Sequence, residues 1–145
     1  MERWLLLALG AALFWGVNAL LVKLVVDRAY LGLEASRANL FVALGVLATM
    51  LIYDRLAPVP FTAGRVNAYA LSFLIGIVWA LGNIFAFEAV RAGGKMSQVV
   101  PIYNTNTLVA VVLITLLLRE IPAGADLVRV LIGALLITLG AVLVS

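Results

Sequence analysis

The sequence contains no cysteine and no histidine. Without cysteine the chain forms no disulfide and has no thiolate to bind a metal or to react. Without histidine it lacks the side chain most used in general acid–base catalysis and in zinc sites. No nucleophile–base pair stands out among the other residues. An enzyme is therefore the class that the sequence favours least, and no metal or cofactor is expected.

Charge is also scarce. Charged residues make up 12% of the chain and hydrophobic residues 66%, whereas a soluble domain is about half apolar and about a quarter charged. The ten lysines and arginines are scattered singly between apolar runs, so they form no basic stripe for nucleic acid. In such positions they anchor helix ends at a membrane surface.

Apolar stretches of about 18 or more residues are read as spanning helices, and the chain has five, the second at the lower edge of that length. The second is the shortest. Prolines and glycines mark turns between them, around Pro60, Gly93 and Pro122. Residues 1–145 are therefore predicted to be one all-α, multi-pass domain in the cell membrane. The predicted spans are Trp4 to Val26, Ala38 to Tyr53, Val66 to Val90, Ser97 to Leu118 and Leu127 to Val144.

Polar side chains in three spans are predicted to lie at similar depth. Asn18 and Asn83 precede the ends of spans one and three by distances of roughly 13 and 12 Å. The segment Tyr103–Thr107 lies roughly 9–15 Å from the start of span four. Spans one and three run toward the surface where span four begins. The three helices therefore bring amides to one level, close to the midplane at about 15 Å.

Aromatic rings share helix faces with these amides, since Trp15 is three residues from Asn18 and Trp79 and Phe87 flank Asn83 at four. Such a pocket suits a small, amphipathic solute that is uncharged or zwitterionic. Hydrogen bonding between helices is the alternative role for each amide. The predicted substrate-lining residues are Trp15, Asn18, Trp79, Asn83, Phe87, Tyr103, Asn104, Asn106 and Thr107.

Lys23 and Glu88 each lie about one turn inside the same predicted surface. They form either a structural ion pair, or two side chains that reach outward to water. Glu88 is also the one acidic residue clearly inside a predicted span. It is therefore the candidate for coupling transport to protons or cations.

Three motifs carry a family resemblance. They are Ala11-Ala12-Leu13-Phe14-Trp15-Gly16-Val17-Asn18 followed by Lys23, the stretch from Pro101 to Glu120, and Ile132 to Gly140 with its spaced glycines. In this order the chain resembles the EamA-like branch of the drug/metabolite transporter superfamily. The chain departs from most relatives in having one five-helix unit instead of two, and in the polarity of Tyr103–Thr107.

The resemblance implies half of a ten-helix inverted-repeat transporter that carries a small molecule by alternating access. Carriers of this kind bind substrate near the midplane, between the repeats. The second repeat would come from a second copy of the chain. A passive channel built on the same dimer and a non-transporting membrane subunit are the alternatives.

The basic residues are balanced between the two predicted surfaces. Because the surface richer in Lys and Arg stays cytoplasmic, an equal count fixes no orientation. The sequence thus predicts insertion both ways up and an antiparallel homodimer with its two-fold axis in the membrane plane. A fixed orientation set by the first helix is the alternative. Arg3, Arg55, Arg65, Arg119 and Arg129 lie at one surface, and Lys23, Arg28, Arg37, Arg91 and Lys95 at the other.

Overall fold

The computed structural model describes residues 3–58, 66–119 and 125–144, apart from the side chains of Ala125 and Asp126. The described ranges are helical apart from short connections, because a backbone in lipid must satisfy its own hydrogen bonds. Five helices in this part are long and apolar enough to span a membrane. The predicted all-α membrane fold is confirmed. The predicted turns at Pro60 and Pro122 lie outside the described residues.

Three helices form the first of two compact units, residues 1–93. They are α1 (Arg3–Val26), α2 (Ala35–Leu56) and α3 (Val66–Arg91). Helix α2 extends beyond the predicted apolar stretch at both ends, because its polar end residues continue the helix after the hydrophobic run stops. All three helices contact one another.

The core of the first unit lies at one end of these helices. Its buried described residues fall in the last two turns of α1, the first turn of α2 and the last turns of α3. They are Ala19, Val22, Val26, Ala35, Ala38, Phe87 and Val90. Toward the other end, the helices expose large apolar side chains such as Leu13, Ile52 and Phe73. Those faces require lipid or another protein to cover them.

Two glycines shape the turns at the packed end. Gly32, with a φ of 63°, lies in the connection between α1 and α2. Gly93, with a φ of 102°, follows α3 and donates its N–H to the Val90 carbonyl at 3.1 Å. Both conformations are left-handed, which only glycine adopts readily. The chain can therefore turn sharply at these two points.

The second unit, residues 94–145, contains the interrupted fourth span and the fifth. The fourth consists of α4 (Met96–Tyr103), α5 (Asn106–Leu113) and a π-helical segment (Ile114–Leu118). The fifth is α6 (Ala125–Val144), which contacts both α4 and α5. Ala134 and Ala141 are buried, so small residues of α6 are used in packing within this unit.

Candidate functional site

Several polar side chains in the spans donate a hydrogen bond to their own helix. The Asn39 amide donates to the Ala35 carbonyl at 2.9 Å, and the Ser72 hydroxyl donates to that of Ala68 at 2.8 Å. Thr49 and Thr138 bond in the same way to the carbonyl four residues earlier. The three hydroxyls can therefore face lipid with their O–H groups satisfied, and Asn39 with one of its N–H groups satisfied, without a ligand.

The predicted site differs in this respect. Within the described residues, the amide side chains of the predicted site make no hydrogen bond, and neither does the Thr107 hydroxyl. The Asn83 Nδ2 atom is buried as well, and it has no acceptor. An unpaired polar group in an apolar medium is costly unless a partner arrives. The side chains that lack a hydrogen-bond partner among the described residues are Asn18 and Asn83 in the first unit, and Asn104, Asn106 and Thr107 in the second.

The four aromatic residues of the predicted site differ in exposure. Trp15 is 72% exposed on α1, and Trp79 is 47% exposed on α3. Tyr103, in the second unit, is 38% exposed at the end of α4. Phe87 is only 3% exposed, because it packs in the core of the first unit. The rings of Trp15, Trp79 and Tyr103 are thus available to a ligand, whereas that of Phe87 is not.

Helical geometry is interrupted where the polar residues of the second unit lie. Asn104 and Thr105 have ψ angles of -8° and -12°. The N–H groups of Thr105 and Leu108 donate to carbonyls three residues earlier, at 3.2 and 2.9 Å. Pro101 has no N–H, so the carbonyl of Ser97 lacks its donor from the next turn. Discontinuous spans with freed backbone groups are typical of substrate sites in carriers.

The π-helical segment of the fourth span was not anticipated from the sequence. Single π turns inside helices recur at functional sites. Thr115 lies in this segment and, within the described residues, its hydroxyl makes no hydrogen bond. It lines a groove of about 310 Å³ between α5, the π segment and α6. The groove is otherwise apolar, with Val111, Val112, Leu116, Leu127 and Leu131 as its other walls.

Lys23, near the packed end of the first unit, has a partner other than Glu88. Lys23 donates to Asp27, whose other carboxylate oxygen accepts the Ala29 N–H at 2.8 Å. Glu88 is exposed and forms no ion pair within the described residues. The structure thus does not form the predicted pair between Lys23 and Glu88. In the described part, no three acidic residues are grouped to hold a metal ion.

Lys23→Met should lower the melting temperature at neutral pH, and Glu88→Gln, the matched control, should not. The hydrogen bond from Lys23, followed by that from Ala29, lowers the pKa of Asp27. This stabilisation is present above the ordinary Asp pKa and is lost as the pH falls through the lowered pKa. The effect of Lys23→Met should therefore disappear on acidification. Equal destabilisation by both substitutions would show that Glu88 has a structural partner.

Comparison with known proteins identifies the family. The model of the EamA-like transporter family matches residues 2–145, nearly the whole chain. Searches of curated proteins and of solved structures each found no match. The five spans fit one half of an inverted-repeat fold, and they make this a multi-pass membrane protein. The chain belongs to the EamA-like transporter family, within the drug/metabolite transporter superfamily.

Proposed function

We propose that the chain carries small metabolites or drugs across the cell membrane by alternating access, as an antiparallel dual-topology homodimer. The observation that carries this proposal is the contrast among polar side chains in the spans. Asn39 and Ser72 bond to their own helix, whereas Asn18 and Asn83 have no hydrogen-bond partner among the described residues. We infer that substrate supplies the missing partners in the transport cycle.

The substrate class follows from this set of side chains. In the two units taken separately they offer amide and hydroxyl groups and exposed indole and phenol rings, and no charge. A small amphipathic solute, uncharged or zwitterionic, can pair with such groups without leaving a net charge buried. The π-segment hydroxyl of Thr115 is a further candidate to line the path of the solute. Glu88, which is exposed near one end of α3 and forms no ion pair within the described residues, is the candidate for proton coupling.

The odd number of spans among the described residues supports the antiparallel arrangement. A unit with five spans begins and ends on opposite sides of the membrane, so a second unit joined to it would be inverted. A second copy of this unit that inserts the other way up would supply the same inverted arrangement. Gly16 of α1 and Gly76 and Gly82 of α3 also lie on open surface. Apart from chain neighbours and the backbone of the same helix, no described atom lies within 4 Å of the position that a Cβ would take on any of the three.

Flux measurements in liposomes distinguish a carrier from a pore. The purified protein alone should take up a substrate with saturation, and unlabelled substrate on the far side should accelerate uptake. Both effects follow because a carrier must reorient between the two surfaces. Linear flux without trans-stimulation would indicate a channel. No flux from the purified protein would favour a non-transporting subunit.

A further inference from the structure

Arg91 connects the end of α3 to the loop between α1 and α2. Its guanidinium donates to the Leu33 carbonyl at 2.8 Å and to the Gly32 carbonyl at 3.3 Å. It also pairs with the carboxylate of Glu34, the residue that precedes α2. The Arg91 side chain is 8% exposed, whereas that of Glu34 is 66% exposed. One side chain thus holds three acceptors on a segment far away in sequence.

This contact closes the packed end of the first unit. Beneath it lie the buried residues Val26, Ala35 and Val90, where α1, α2 and α3 meet. Farther along the helices, the described residues leave their apolar faces exposed, including Trp15 and Trp79. The first unit is therefore closed at the Arg91 end and open toward the other.

The chemistry of the contact allows it to open. Two of the acceptors are backbone carbonyls in a loop at the end of the spans, where water can replace the guanidinium. The third, Glu34, is already largely in water. An ion pair of this kind is weak compared with one that is fully enclosed in protein. When the two segments separate, the charges of Arg91 and Glu34 are therefore at the end of the spans and not in the lipid interior.

We propose that Arg91 and the segment Gly32–Glu34 form a latch that closes one end of each copy and opens during the transport cycle. This inference rests on the proposed antiparallel homodimer. A two-fold axis in the membrane plane places the two latches of the dimer at opposite surfaces. Access to one side at a time then requires one latch closed and the other open, and the two copies exchange states in each cycle. Arg91 acts as a positioning residue and does not touch substrate.

Spin labels beside the latch test this directly. Because the chain has no cysteine, Ser36→Cys with Ala92→Cys gives two unique labelling sites, both exposed and outside the latch. The labelled chain is co-expressed with excess wild-type chain, so that most labelled dimers carry one labelled copy. Electron paramagnetic resonance in lipid should show two distances of about equal weight. A control pair within α2, Ser36→Cys with Ala43→Cys, should show one.

Substitutions in the latch should change the balance between the two distances. Arg91→Ala should eliminate the short distance. Arg91→Lys keeps the positive charge but not the several N–H donors of the guanidinium, so it should reduce the share of the short distance. A single distance in the wild-type background, or two distances that Arg91→Lys leaves unchanged, would overturn the latch. Labelling from the two sides of the membrane tests the antiparallel dimer separately. The two experiments can therefore separate a failure of the latch proposal from a failure of the antiparallel-dimer proposal.

Discussion

Two lysines added beside Arg3 should fix the amino terminus in the cytoplasm, and two added beside Lys95 should fix it outside. Lysine and arginine in short loops determine which side remains cytoplasmic, and the natural chain divides its ten equally. Each variant alone should lose transport, because a population with one orientation cannot form an antiparallel dimer. Co-expression of the two should restore uptake.

The matched control for this experiment adds two glutamates at the same positions. Acidic residues contribute little to orientation, so these variants should keep both orientations and normal uptake. Reporter fusions at the carboxyl terminus measure the orientation of every variant. A lysine variant that is held in one orientation and transports normally by itself would rule out the antiparallel dimer.

Asn83→Ala and Asn106→Ala should each reduce transport by about tenfold or more while the protein still folds. An unpaired substrate group in an apolar site costs about 1–3 kcal/mol, and 1.4 kcal/mol corresponds to a factor of ten. A thermal-shift screen of the purified protein against metabolites first supplies the substrate, because a ligand that binds the folded state raises its stability. Uptake kinetics of that substrate then measure the effect.

Asn39→Ala is the control for these substitutions. Asn39 is also an asparagine in a span, but its amide bonds to the Ala35 carbonyl of its own helix. Its replacement should leave the kinetics close to those of the wild type. Normal uptake by both the Asn83 and Asn106 variants would remove these residues from the substrate site. An equal loss in all three variants would show that any amide in a span is structurally required.

The spans were predictable from the sequence because lipid imposes a simple rule. A run of about 20 apolar residues is needed to cross the hydrocarbon, and only a helix satisfies its backbone there. All five predicted spans are present among the described residues. The ends of α2 were less predictable, since Ala35–Leu56 includes polar residues outside the apolar run. Hydropathy identifies the part of a helix that lies in lipid, but it does not show where the helix itself begins and ends.

Details within and between helices were not predictable in the same way. Pro101 indicated a weakened span, but nothing in the sequence indicated the π segment Ile114–Leu118. The sequence left Lys23 either to pair with Glu88 or to reach outward to water, whereas in the structure it pairs with Asp27, one turn along the chain. The Arg91 contact depends on residues 57 to 59 positions away. Such pairings follow from tertiary packing, which periodicity does not encode.

Cysteine labelling in intact cells tests the dual-topology account most directly. Ala57→Cys introduces one thiol at an exposed position just after α2, in a chain without other cysteines. A membrane-impermeant maleimide should label about half of the copies from outside, and the rest only after permeabilisation, because the balanced charges permit both orientations. Labelling of all copies from outside, or of none, would contradict the antiparallel homodimer.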